Sequence, residues 1–195
     1  MPALPLLHIL IVVFLVLANA FFVAVEFALV SVRRTRLQQL ASQGNSRAEA
    51  ALKLVGNLNS VLSGTQLGIT LASLALGWIG EITFAQLIQP ALAWVHADNL
   101  VSTHTVALIL AFLMITFLHV VLGELVPKQV ALEKAERLSL MIAWPMTFFM
   151  KLVRWPLVVL DACSFYLARH LGATAQGPQS YSYTGEELKM LVTAS

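Results

Sequence analysis

Six consecutive residues, Gly123-Glu124-Leu125-Val126-Pro127-Lys128, combine groups able to hold a cation. A proline has no N–H for the carbonyl four residues earlier, so in a helix Pro127 frees the carbonyl of Gly123. That neutral oxygen adjoins the Glu124 carboxylate at the end of an apolar run, and Gly123 lets another helix come close. Oxygen donors around one carboxylate, without cysteine or clustered histidine, suit a hard cation. Mg²⁺ fits, since it is octahedral and often keeps waters, and Na⁺ would also accept such a site. His104 and His119 lie about 22 Å apart along a helix and cannot share one ion. A zinc site would need them close together with other nitrogen or sulfur ligands. His119 reads as a packed or hydrogen-bonded group. The competing reading of the motif is a plain helix end, with Glu124 paired to Lys128 at i,i+4.

Two further polar sets lie in apolar surroundings. Asn59, Ser63, Gln66, Thr70, Ser73 and Gly77 recur at spacings of three and four, which makes one stripe along a helix. Hydroxyls and amides repeated over four turns suit a water- or ion-lined path, and helix packing alone is the bland alternative. Ser60, Gly64 and Gly68 form a second ridge of small residues, read as a helix-packing surface. Asn19 and Glu26 are about two helical turns apart and share a face. Asn19 reads either as an interhelical bridge or as a site residue, while Glu26 reads as a partner for Arg33 or Arg34. No nucleophile triad, phosphate loop or His-Glu-x-x-His sequence is present, so an enzyme is not expected.

These groups must be positioned by membrane helices. Of 195 residues, 58% are hydrophobic and only 11% charged, against roughly 25% charged in a soluble domain. The mean hydropathy is +0.81. A soluble domain of this size could not bury so much apolar surface. The net charge of +2 is too small to suggest nucleic acid, and the single cysteine, Cys163, cannot form an intrachain disulfide. Residues 1–25, 54–80 and 99–123 carry no charge, and each stretch exceeds the ~20 residues that cross a bilayer core. Three spans are expected, at about 6–31, 57–79 and 103–126. All 12 Lys and Arg then fall on one side, which the positive-inside rule makes cytoplasmic. The N-terminus is then outside and the C-terminus cytoplasmic. A cleaved signal peptide ending at Ala18-Asn19-Ala20 is disfavoured, because no basic residue precedes the apolar run and the run continues beyond it.

Residues 33–53 read as a polar helix or helix pair broken near Gly44-Asn45. Over 138–171, Pro145 and Pro156 interrupt any helix, and Trp144, Trp155, Lys151 and Arg154 are interfacial types. Two or three short helices on the cytoplasmic leaflet are expected there, with a fourth span as the alternative. Residues 172–181 read as a linker, and Thr184 opens a helix with an acidic first turn. The chain stops inside that helix, so 172–195 is read as a linker and the start of a cytoplasmic domain missing from this sequence.

The sequence resembles the CorC/CNNM (cyclin M) magnesium transporter family. The resemblance rests on Asn19-Ala-Phe-Phe-Val-Ala-Val-Glu26 with Arg33 and Arg36, on Leu62-Ser-Gly-Thr-Gln-Leu-Gly68-Ile-Thr70-Leu-Ala-Ser73, and on Gly123-Glu124-Leu-Val-Pro127-Lys128. It covers about 10–190. It implies an all-α integral membrane fold: three transmembrane helices plus a cytoplasmic-side juxtamembrane helical hairpin, as a homodimer in the lipid bilayer. It implies Mg²⁺ transport, as export coupled to Na⁺ entry, and nucleotide-binding CBS domains beyond this chain. The implied ion ligands are Asn19, Ser73, the Gly123 carbonyl and Glu124, with Thr70 and Gln66 as secondary candidates. Some relatives carry Ser at the position of Asn19 and Asn at that of Ser73. Gly64, Gly68, Gly77 and Pro127 are expected to serve packing and gating. The alternatives are a membrane-anchored ion sensor or scaffold, whose ion only stabilises the fold, and a carrier of another cation.

Overall fold

The computed structural model describes residues 3–93 and 100–171, with side chains at 6–90 and 105–171. The described residues are helical apart from short connections, and none is in a strand. Helix α1 is Ala3–Ser31, α2 Arg34–Ser42, α3 Ser46–Gly56, α4 Leu58–Ala93 and α5 Leu100–Leu118. A π-helical stretch, His119–Leu125, joins α5 to α6, Val126–Glu133. Helix α7 is Ala135–Leu152, and α8 is Arg154–His170.

Three helical stretches are long and apolar enough to cross a membrane: Leu6–Ser31, Leu58–Pro90 and Thr105–Glu133. This is an all-α membrane protein, because only helices or closed barrels satisfy the backbone within lipid. The second and third stretches outrun the lengths expected from the charge gaps. Helix α4 continues past Glu81 and through Pro90. The third passes Pro127 without a break, the π-helical stretch running directly into α6. Glu124 is therefore not at a helix end.

The polar pair α2–α3 breaks where the sequence places it. Gly44 takes φ +85°, a left-handed conformation suited to glycine. The Asn45 side chain then accepts from the N–H groups of Arg47 and Ala48, satisfying two orphan donors at the start of α3.

Helix α7 corrects the expectation at Pro145, which lies inside the helix without ending it. The buried face of α7, Ser139, Ile142, Ala143 and Met146, holds the helix against α1 and α3. Pro145 and Met141, whose carbonyl loses its α-helical donor, are both on exposed positions. The chain instead turns at Val153. Pro156 falls in the first turn of α8, where its missing donor costs nothing. Helix α8 belongs to a separate compact unit that begins at Arg154. The expected linker and the helix start at Thr184 lie outside the described residues.

Two apolar layers hold the first unit together. At the basic end, Val25, Ala28, Leu29, Val32, Leu37, Ala51, Leu54, Val61, Ala131, Ile142, Ala143 and Met146 form one buried cluster drawn from α1–α4, α6 and α7. Toward the other end, Val12, Val16, Leu76 and Ile115 form a smaller one from α1, α4 and α5 alone. Along each spanning helix the sequence passes from one cluster to the other through a short polar interval. On α1 that interval holds Asn19, on α4 Ser73, and on the third stretch His119–Glu124.

Candidate functional site

Asn19, Ser73 and His119 each stand within about a residue of the middle of their spans. The three spans bring them into one cluster. Asn19 is fully buried. Its Nδ2 donates to the Gly123 carbonyl at 3.0 Å, the oxygen that an ordinary N–H at 127 would have taken. Ser73 Oγ donates to Asn19 Oδ1 at 3.2 Å and lies 3.2 Å from His119 Nε2. Ser73 has one proton and spends it on Asn19, so His119 Nε2 carries the hydrogen in this contact. The Glu124 carboxylate faces the same nitrogen at 3.8 Å, with 45% of its side chain exposed.

Local backbone geometry makes this possible. In an α-helix, His119 and Glu124 would point well apart, because residues five apart do not stack. The wider π-turn brings them round to one side. Such turns recur at functional sites. Gly123 is buried, and a Cβ there would stand 3.0 Å from His119 Cδ2 and 3.1 Å from Asn19 Nδ2. Only a glycine leaves both side chains where they are. Lys128 does not pair with Glu124. Its Nζ sits 4.6 Å over the Phe27 ring of α1, a cation–π contact that leaves the carboxylate to His119.

The stripe on α4 divides. Ser73 joins the cluster, while Gln66, Thr70 and Gly77 are exposed, and the Thr70 hydroxyl returns to the Gln66 carbonyl at 2.8 Å. Asn59 is also exposed. In the ridge of small residues Gly64 and Gly68 face inward, while Ser60 is exposed. A Cβ on Gly68 would collide with the Phe22 ring at 2.6 Å, one on Gly64 with Met150 Sδ, and one on Gly77 would meet nothing within 4 Å.

His119 is the member that sequence reasoning placed outside the site. In the sequence it reads as a packed or hydrogen-bonded group, too far along the helix from His104 to share an ion, and the His104 side chain lies outside the described residues. The usable signal was closer: Gly123 follows His119 at i+4, so the two share a helix face. No group of three or more His, Cys, Asp or Glu gathers among the described residues. Any ion here would rest on one carboxylate plus neutral donors, and would need waters to complete its shell.

Three spanning helices around a polar cluster at mid-span define a membrane domain built about one buried polar layer. Residues 10–195 match the Cyclin M transmembrane N-terminal domain, and the chain belongs to that family. It is 42% identical over 181 residues to UPF0053 protein YhdT of Bacillus subtilis, covering 93% of this chain and 39% of that protein. It is 36% identical over 189 residues to UPF0053 protein YrkA of the same organism, covering 97% and 43%. An uncharacterized protein of Mycobacterium tuberculosis is 34% identical over 188 residues, covering 96% of this chain and 53% of its own length. The chain thus spans about half, or less, of the length of these relatives.

Proposed function

We propose that this chain is the membrane domain of a Mg²⁺ transporter, which exports its cargo coupled to Na⁺ entry. The observation that carries the reading is the meeting of Asn19, Ser73 and Gly123 from three spans at mid-span, beside the part-exposed carboxylate of Glu124. Polar groups at that depth are costly and mark ion pathways by default, and transporter sites commonly sit near the midplane beside irregular helix. Glu124 supplies the charge, while Asn19, Ser73 and the Gly123 carbonyl supply neutral oxygens. For the last to reach a cation, Asn19 Nδ2 must first release it. Gln66 and Thr70 line the approach along α4, and the close contacts at Gly64 and Gly68 are where the helices re-pack around the site.

The N-terminus is outside and the C-terminus cytoplasmic in this reading, since every basic residue then lies on the cytoplasmic side. The working unit is a homodimer. Gln66 and Thr70 are exposed on a membrane helix, and a second copy would shield their polar groups from lipid. The full-length chain continues into a cytoplasmic CBS-type domain.

The decisive experiment uses the full-length protein in liposomes, with Mg²⁺ flux followed with and without a Na⁺ gradient. Glu124→Ala is expected to abolish Mg²⁺ binding and flux, while light scattering still finds the dimer. Wild-type Mg²⁺ affinity in that variant overturns the site. Binding without flux under any gradient points instead to a membrane-anchored sensor.

A further inference from the structure

A cleft of about 630 Å³ opens at the basic end, where the first and third spanning stretches finish. Ser31, the last residue of the first stretch, lines it together with Arg33 and Thr35 at the start of α2. Leu132 and Glu133, the last residues of the third stretch, line it from α6. Both spans end here, so the cleft lies where hydrocarbon gives way to lipid headgroups. Its four charged side chains are Arg33, Arg36, Glu133 and Glu136, and three of them are matched. Arg36 Nε meets both Glu136 oxygens at 3.2 Å, and Arg36 Nη1 donates to Gln39 Oε1 at 2.9 Å. The Glu133 carboxylate lies 3.9 Å from Lys134 Nζ. Arg33 makes no ion pair or side-chain hydrogen bond among the described residues, and Glu26, the partner the sequence suggests, does not reach it. The Ser31 and Thr35 hydroxyls likewise donate to no described group.

We propose that this cleft holds the phosphate of an anionic phospholipid from the leaflet at the basic end, with Arg33 as the principal contact. The cleft offers one uncompensated guanidinium and two free hydroxyl donors, while both of its carboxylates are neutralised. That balance suits an anion. A guanidinium fork matches two phosphate oxygens, and the hydroxyls can donate to the others. Basic pockets between spans on the cytoplasmic side are a recurring place for anionic headgroups. A zwitterionic headgroup carries the same phosphate but adds a cation, for which the paired carboxylates leave no partner. A soluble phosphate would make no use of the apolar edge. Leu132, in the lining, and Val30, next to Ser31, are both exposed at the foot of their spans, where acyl chains would lie against them. One lipid would touch the α1–α2 junction and the α6–α7 junction together. It thus adds a second clamp beside the Arg36–Glu136 pair. The site stands whatever ion the mid-span cluster carries.

The test titrates the full-length protein in neutral detergent with short-chain phosphatidylglycerol, short-chain phosphatidylcholine and inorganic phosphate, followed by calorimetry. Wild type is expected to bind phosphatidylglycerol at least about tenfold more tightly than either of the others. Arg33→Gln should lose about tenfold in phosphatidylglycerol affinity. Arg34→Gln removes the same charge from the neighbouring residue, which does not line the cleft, and should lose no more than about twofold. Equal losses in the two variants would reduce the effect to the diffuse field of the basic end and overturn the site. Equal binding of the two lipids overturns the anionic preference, and inorganic phosphate binding as tightly as phosphatidylglycerol overturns the lipid as occupant. Arg33 holds nothing in the lipid-free protein, so Arg33→Gln should then unfold at the wild-type temperature. Added phosphatidylglycerol should raise that temperature for wild type and not for the variant. A photoactivatable headgroup on phosphatidylglycerol needs no variant. It should label wild type within residues 31–36 and 132–136, and labelling confined to other segments overturns the placement. None of these readouts involves Mg²⁺, so failure of the cation site leaves them unaffected.

Discussion

The two apolar layers on either side of the polar cluster differ in construction. Six helices contribute to the layer at the basic end, and three to the layer beyond the cluster. In the first, α7 and the α2–α3 pair wrap the ends of the spans, so that Leu29, Leu37 and Met146 are enclosed by protein. In the second, neighbouring positions such as Phe14, Leu74 and Trp78 are open on the outer faces, where hydrocarbon rather than protein is the neighbour. Closely packed interiors deform little. The basic-end layer is thus the more enclosed of the two, and the thin layer leaves its side chains more room to shift.

The sharpest way to break this contrast is to cut the same side chain in each layer. Leu29→Ala should cost about 2–5 kcal/mol, because the enclosing helices cannot collapse into the space. Leu76→Ala, equally buried, should cost about 2 kcal/mol or less, since lipid chains and mobile neighbours refill it. Unfolding in detergent by denaturant measures both, and equal losses would remove the distinction.

A smaller effect comes from adding a methyl on α4. Gly68→Ala presses on the Phe22 ring, which also packs against Phe149 at 4.6 Å between centroids. It should cost about 1–3 kcal/mol. Gly77→Ala enters open space and should be neutral or stabilise by up to about 1 kcal/mol, the helix-propensity gain. A costly Gly77→Ala would show that a partner surface lies against that face. The smallest effect belongs to Arg36, whose Nε meets both Glu136 oxygens at 3.2 Å and ties α2 to α7. Both side chains are over 40% exposed, so Arg36→Met should cost at most about 1 kcal/mol, and less in high salt. Thermal unfolding at two ionic strengths checks the value and its salt dependence.

The spans and the α2–α3 break were legible because their signals are local. Charge-free runs need no neighbour to be read, and Gly44-Asn45 carries its own turn and cap. Pro145 was misread because a local rule was overridden from outside, by the packing of α7 on α1 and α3. The polar cluster was legible in its parts, Asn19, Ser73 and Gly123, but not in its assembly. The spacing of the α4 stripe places Gln66, Thr70 and Ser73 on one face, yet it cannot say which of them the other spans will meet. His119 was hidden for a related reason. Its approach to Glu124 depends on a π-turn, and no residue type announces one.

Pro127 withholds a proton from the helix it begins, and Asn19 returns one from 104 positions away in the chain. The first span thereby serves as a register pin for the third. Sliding one past the other by a single residue, about 1.5 Å, would leave a bare carbonyl at a depth where no water waits to meet it. Any rearrangement of these spans must move Asn19 and Gly123 as one body, or first give that oxygen something else to hold.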